Sequence, residues 1–218
     1  MPKLLTESSQ FRDSDLTAWR QGDYGLLAHR TVSLYIRHLL IEKCHRRKRP
    51  SRRFFGEAFV AARTDHVDGW YGSFKWLRCF PSGADDEDRW FHKKFKDALG
   101  EHFPNLPHLH KEFDALSRLL RVKPVPPDLW LIVRGRRGRL KHRFIEVKLP
   151  GDKLAPRQVA GLAVIATCLP RDGKRVSTSV ISLHSETTNS APMTGDKVLF
   201  AKYCRDLRRA GFDRLARR

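Results

Sequence analysis

The chain has 218 residues, with 43 Lys and Arg against 24 Asp and Glu and a formal net charge of +19; it is long enough to bury a core without disulfides or metals, which excludes a peptide-sized or disulfide-stapled protein. Hydrophobic residues make up 40% and aromatic residues 10%, which excludes a disordered basic tail. So large a positive excess costs self-repulsion and points to a polyanionic partner, nucleic acid ahead of an anionic membrane surface.

Met1–Leu16 has no apolar leader, and the longest uncharged apolar run, Val159–Leu169, is too short to span a bilayer. The expectation is a cytoplasmic protein with no membrane partner. Cys44, Cys79, Cys168 and Cys204 are far apart with no CxxC pair, as free thiols in a reducing compartment are, and no His stands at zinc-finger spacing from a cysteine pair.

Val32, Tyr35, Ile36, Leu39 and Leu40 recur at the spacing of one helix face, and Pro50 ends whatever helix precedes it. The basic run Lys43–Arg53, with Arg46, Arg47 and Arg49 in it, hangs off that helix. Residues 1–53 are therefore read as a helical basic segment and 54–218 as a second domain. FFGEAFVAA, from Phe54, fits helix or buried strand, and GWYGSFKWLRCF, from Gly69, carries glycines that argue for turns or close approaches. Asp85, Asp86, Glu87 and Asp88 stand where a helix start favours negative charge, with Phe91, Phe95, Ala98 and Leu99 following at helical spacing. A further helical stretch, roughly Lys111 to Leu120, runs into the Pro-rich KPVPP, which forces an extended chain.

LWLIV (129–133) and FIEVK (144–148), separated by GRRGRLKHR, read as two antiparallel strands joined by a polar turn. Alternation along the second strand puts Glu146 and Lys148 on one face and Ile145 and Val147 on the other. Asp128 begins the first strand, and hairpin pairing brings that end toward the outgoing end of the second. Two carboxylates and a lysine then converge, a set suited to binding a hard divalent cation and orienting a water against a phosphate. A surface salt bridge on an edge strand is the plainer use of the same residues.

PPD, the interval of 18 residues to ExK, and the basic turn between them resemble the PD-(D/E)xK nuclease superfamily. The longer stretch EVKLPGDKLAPRQ, Glu146–Gln158, is similar to its VRR-NUC branch, with Asp152 and Gln158 at the places of that branch's following aspartate and glutamine and Pro156 at the start of a helix to about Leu169. The resemblance covers about residues 125–169. It implies a restriction-endonuclease-like α/β core, a mixed sheet flanked by helices, here with a helical N-terminal elaboration. It also implies a strand near Val176–His184 and a helix from about Asp196 to Ala210. The alternation of strands and helices supports the α/β class independently.

By the same resemblance the chain is expected to be an endodeoxyribonuclease dependent on Mg²⁺ or Mn²⁺, with Asp128, Glu146 and the Val147 carbonyl holding the metal. Lys148 orients or activates the water, and Gln158 positions the lysine or a phosphate. A further acid from a preceding helix is expected; Glu57 is the first choice, because an acid in so apolar a stretch is costly without a metal or partner, and Asp68 and Glu87 are the alternatives. Repair, recombination or defence are the settings implied, with DNA as partner and a homodimer as the assembly leaned toward. RNA as substrate, or a catalytically silent or partner-dependent binding module, are the other readings. No GxxxxGK[ST] loop is present, so no nucleotide cofactor is expected.

Three clusters hold much of the positive charge: Lys43–Arg53, the turn with Arg134, Arg136, Arg137 and Arg139, and the C-terminal stretch from Lys202. Such clusters contact phosphates and set register. The turn is taken to lie beside the site and to be the one most engaged in nucleic-acid binding.

Overall fold

The computed structural model describes residues 2–45, 51–71, 86–135, 138–170, 175–187 and 196–217. In chain order the elements are β1 (Leu4–Phe11), α1 (Asp13–Arg20), α2 (Leu34–His45), α3 (Phe55–Arg63), β2 (Asp68–Tyr71), α4 (Asp86–His102), α5 (Leu106–Lys111), α6 (Phe113–Leu120), β3 (Leu129–Arg134), β4 (Leu140–Lys148), α7 (Pro156–Cys168), β5 (Arg175–Ser185) and α8 (Asp196–Arg209), with short 3-10 helices at Gly25–Ala28 and Phe212–Arg217. The α/β expectation holds: the strands form one mixed sheet in the order β1-β5-β4-β3-β2, flanked by helices.

The expected hairpin is the centre of that sheet. β3 and β4 pair antiparallel from Leu129↔Ile145 to Arg134↔Leu140, and β2 extends the antiparallel meander on the far side of β3. After β4 the chain crosses through α7 and returns as β5, parallel to β4. Leu129, Trp130, Leu131 and Ile132 are all buried, which is why β3 is an unbroken apolar run: both faces of the central strands are covered.

Alternation assigns the faces. Val147 faces α3, where a Cβ added to Gly56 would stand 2.9 Å from Val147 Cγ1. Phe144 faces the other way, stacked on Trp130 at 5.9 Å and meeting Phe103 at the end of α4 at 5.9 Å. α7 packs against β4 and β5 and is backed by α8.

FFGEAFVAA resolves as helix α3. Seven of its nine residues are buried, because Phe55 is enclosed by Phe11 of β1 at 5.1 Å and Trp19 of α1 at 6.0 Å as well as by the sheet; a helix apolar all round is one buried all round. Ile36, Leu39 and Leu40 form the buried stripe of α2 as expected, and the acidic run opens α4. The stretch expected near Lys111–Leu120 is α6, separated from α5 at Glu112 and closed by Arg121 in the left-handed region.

The helical reading of residues 1–53 is corrected at its beginning. Leu4–Phe11 is a strand, paired in parallel with β5 from Leu4↔Thr178 to Phe11↔Ser185. Only Leu4 and Phe11 of this strand are buried, so its polar middle shows no clean alternation. As an edge strand it takes its order from a partner far along the chain.

Cys44, Cys168 and Cys204 are buried and form no disulfide among the described residues; Cys79 lies outside the described residues. Among the described residues no helix is long and apolar enough to cross a membrane.

Candidate active site

The Pro-rich approach to β3 is laid directly on α7. Val125 N–H donates to the Arg157 carbonyl at 3.1 Å, and a Cβ on Gly161 would lie 1.8 Å from the Val125 carbonyl oxygen. Pro126 and Pro127 keep the segment extended and bring no N–H, so β3 pairing begins only at Leu129. Two residues beyond Ile145 on β4, the Val147 N–H would face Pro127; instead it donates to Asp128 Oδ2 at 2.8 Å. In an antiparallel ladder a residue's N–H and C=O point to the same neighbour, so the Val147 carbonyl also faces this strand end.

On the opposite face of β4, Glu146 is 1% exposed and Lys148 8%. Lys148 Nζ donates to Glu146 Oε1 at 2.8 Å and to Gln158 Oε1 at 3.1 Å. Gln158 Nε2 donates to the same Glu146 Oε1. Gln158 Oε1 also accepts the Ala155 N–H at 2.9 Å, so the residue that closes the first turn of α7 also fixes the lysine. The second oxygen, Glu146 Oε2, is buried with no hydrogen-bond partner among the described residues.

Three carboxyls are pushed toward their neutral forms here. Burial raises Glu146 well above its ordinary value and the Asp128 charge adds to it, with Lys148 opposing. Burial also raises Asp128, against the pull of the Val147 N–H and Lys148. Half-buried Glu57, on α3, is raised to about 8, by burial first and the Asp128 charge second. Desolvation is the common cause, and each acid worsens the position of the next.

These groups line one cleft of about 320 Å³, with Glu57, Asp128, Glu146, Val147, Lys148 and Gln158 on its walls and Arg52, Arg53 and Phe54 beside them. Asp152 completes it from a turn in which its N–H donates to the Leu149 carbonyl at 3.0 Å and its Oδ2 accepts the Leu149 N–H at 3.1 Å. Gly151 supplies the φ of +84° this turn needs. Asp196, at the start of α8, is half-buried and raised by burial, with the Lys148 charge drawing it back.

Of the candidates for the further acid, Glu57 is in the cleft. Asp68 is not, since it pairs with Ile132 toward the other end of β3. Glu87 belongs to the first turn of α4; its side chain lies outside the described residues. Among the described residues no three side chains of His, Cys, Asp or Glu are grouped as a ready metal site. The expected donor set instead has Asp128, Glu146 and a backbone carbonyl, and the unpartnered Glu146 Oε2 is a donor such a set can use.

The basic turn requires a correction. Arg134 and Arg139 are exposed where β3 passes to β4, whereas the cleft is at the opposite end of both strands. Roughly 23 Å of extended chain separates Arg139 from Glu146, because a hairpin that joins Asp128 to Val147 must put its turn at the far end. Arg136, Arg137, Arg46, Arg47 and Arg49 lie outside the described residues. Among the described residues the arginines that line the cleft are Arg52 and Arg53, whose sequence signal is their place at the end of the first basic run.

No family model, curated protein or solved structure matches the chain.

Proposed function

We propose that the chain is a metal-dependent endonuclease of the PD-(D/E)xK superfamily, of VRR-NUC type and with a restriction-endonuclease-like core, which hydrolyses phosphodiester bonds in DNA. The observation that carries the reading is Glu146: a carboxylate 1% exposed, with one oxygen shared by Lys148 and Gln158 and the other unpartnered. A buried carboxyl oxygen without a hydrogen-bond partner carries a desolvation cost that a bound cation would offset, and the same cation would draw the carboxyl back to its ionised form. Support also comes from the convergence of Asp128, Glu146, Lys148, Gln158 and Glu57 on one cleft, since these residues come from α3, the position just before β3, β4 and α7.

Asp128, Glu146 and the Val147 carbonyl would hold Mg²⁺ or Mn²⁺, with Glu57 at a second ion or its water shell. The ion supplies Lewis-acid stabilisation of the charge that builds on the phosphate. Lys148 Nζ, held by Glu146 and Gln158, orients the attacking water and donates to the phosphate. As the water oxygen bonds to phosphorus the water gives up a proton to solvent, the bond to the leaving sugar oxygen breaks, and that oxygen takes up a proton from solvent. Gln158 acts through the lysine, holding its ammonium on the cleft side of β4.

The test incubates the protein with linear duplex, single-stranded, flap and four-way-junction DNA and an RNA control, in Mg²⁺, Mn²⁺ or EDTA, alongside Asp128→Ala and Lys148→Ala. Metal-dependent cutting lost in both variants is the expected result, and the substrate cut best names the setting among repair, recombination and defence. Salt-sensitive binding without cutting in any condition overturns the enzyme and leaves a silent or partner-dependent module.

A further inference from the structure

We propose that Arg52 is a phosphate-gripping residue of the cleft, parked on Asp152 until a nucleic-acid backbone enters; the proposal rests on the nuclease reading only in taking DNA as the ligand. The floor of the cleft is acidic, with Glu57, Asp128, Glu146 and Asp152 against Lys148. A polyanion entering it needs positive charge at the rim, and the exposed Arg134 and Arg139 are at the wrong end of the hairpin to supply it.

Arg52 is built for that place. Its Nη2 donates to Asp152 Oδ1 and its Nη1 to the Pro150 carbonyl, each at 3.2 Å. These two contacts use two of the five N–H groups of a planar fork that also matches two phosphate oxygens. The side chains of the pair are 47% and 39% exposed, so the ion pair is worth little in water and can be exchanged. Asp152 does not depend on it for position, because its other oxygen accepts the Leu149 N–H.

The backbone beneath Arg52 is fixed. The next residue's carbonyl accepts Trp19 Nε1 at 3.1 Å, and Trp19 is 2% exposed. Phe54 follows with φ of +64°, a left-handed conformation that a non-glycine residue keeps only when packing holds it. That turn delivers the chain into α3, three residues before Glu57. Arg52 is thereby held in a set relation to the carboxylates, whereas a long side chain on a mobile tail would not be.

The test measures binding of a fluorescein-labelled DNA duplex by anisotropy in EDTA, where no cutting intervenes, across a salt series, with Arg52→Ala, Arg52→Lys, Asp152→Asn and the Arg52→Ala/Asp152→Asn double variant of the full chain. Arg52→Ala is expected to weaken binding roughly fivefold and to lower the slope of log affinity on log salt by about one, with Arg52→Lys restoring the slope. Asp152→Asn is expected to tighten binding, and that gain is expected to vanish in the double variant, since it comes from releasing Arg52. Parent-like affinity and slope in Arg52→Ala overturn the proposal. So does a loss of affinity in Asp152→Asn equal to that in Arg52→Ala, which would make the pair a structural strap. Both results are independent of cleavage: if the nuclease reading fails, no protein cuts while the Arg52 effect on binding stands. If only the Arg52 proposal fails, Arg52→Ala binds as the parent does while Asp128→Ala still abolishes cutting.

Discussion

The Asp128 carboxylate takes the Val147 N–H at 2.8 Å, so a side chain continues the β3–β4 ladder one step past the point where Pro127 ends it. The bond ties the end of β3 to the residue between Glu146 and Lys148, and it separates two consequences of changing Asp128. Asp128→Asn keeps an oxygen that can accept the N–H and removes a charge that burial disfavours, so its stability is expected to match or exceed the parent's. Asp128→Ala leaves the N–H unpaired and is expected to be about 1–2 kcal/mol less stable than Asp128→Asn. Both are expected to lose cleavage. Denaturant titration of the two variants, with a cleavage assay, checks this; equal stability would mean that the bond contributes nothing.

Lys148→Ala removes the cation that neutralises Glu146 at 2.8 Å in a buried setting. A stability loss of about 3 kcal/mol is expected, because the carboxyl left behind must be protonated or remain uncompensated. Cleavage should fall by about a hundredfold or more, a far larger change than the loss of DNA affinity that follows from removing one phosphate contact. A variant that cuts at the parent's rate would remove Lys148 from the chemistry.

Glu57 titrates at about 8 in the folded chain against an ordinary 4.5. A carboxyl raised on folding holds its proton more tightly in the native state, so this contribution to stability is fully present below pH 4.5 and is lost as pH rises through 8. Glu57→Gln cannot titrate. Measured in EDTA at pH 5 and pH 8.5, the variant should gain on the parent at the higher pH. Identical pH dependence in the two proteins would show that Glu57 ionises in its ordinary range.

Gly161 lies in the interior of α7, where alanine ordinarily favours a helix by about 1 kcal/mol. Here a Cβ would stand 1.8 Å from the Val125 carbonyl oxygen, so Gly161→Ala must push the Pro-rich segment off the helix. A loss of about 2 kcal/mol or more is expected, together with reduced cleavage, since Asp128 is carried three residues along that segment. Thermal unfolding and the cleavage assay test it; a stabilised variant would show that the approach to β3 does not rest on α7.

Much of the core was readable because it is local. The β3–β4 hairpin announces itself by β-branched runs and a polar turn within one short stretch, Pro156 suits the first turn of a helix, and parity alone puts Glu146 and Lys148 on one face; the strand near Val176 and the final helix are expectations that the resemblance supplies. Asp128 was legible for the same reason, since a hairpin brings its two ends together whatever surrounds it. FFGEAFVAA was ambiguous by period because the helix is enclosed on nearly every side, by Phe11 and Trp19 as well as the sheet.

What the sequence by itself determined is therefore the set of short-range pieces and the chemistry they carry: the alternation in FIEVK, the Pro126–Pro127 stop before Asp128, and the overall positive charge. Only the tertiary structure decided which pieces meet. It made a strand of Leu4–Phe11 through a partner that begins at Arg175, brought Glu57 and not Asp68 to the cleft, and put Arg52 at its rim in place of the Arg134–Arg139 turn. The physical reason is common to all three. Each is a contact between segments distant in the chain, settled by which apolar faces are buried together, and no local pattern of residues records that choice.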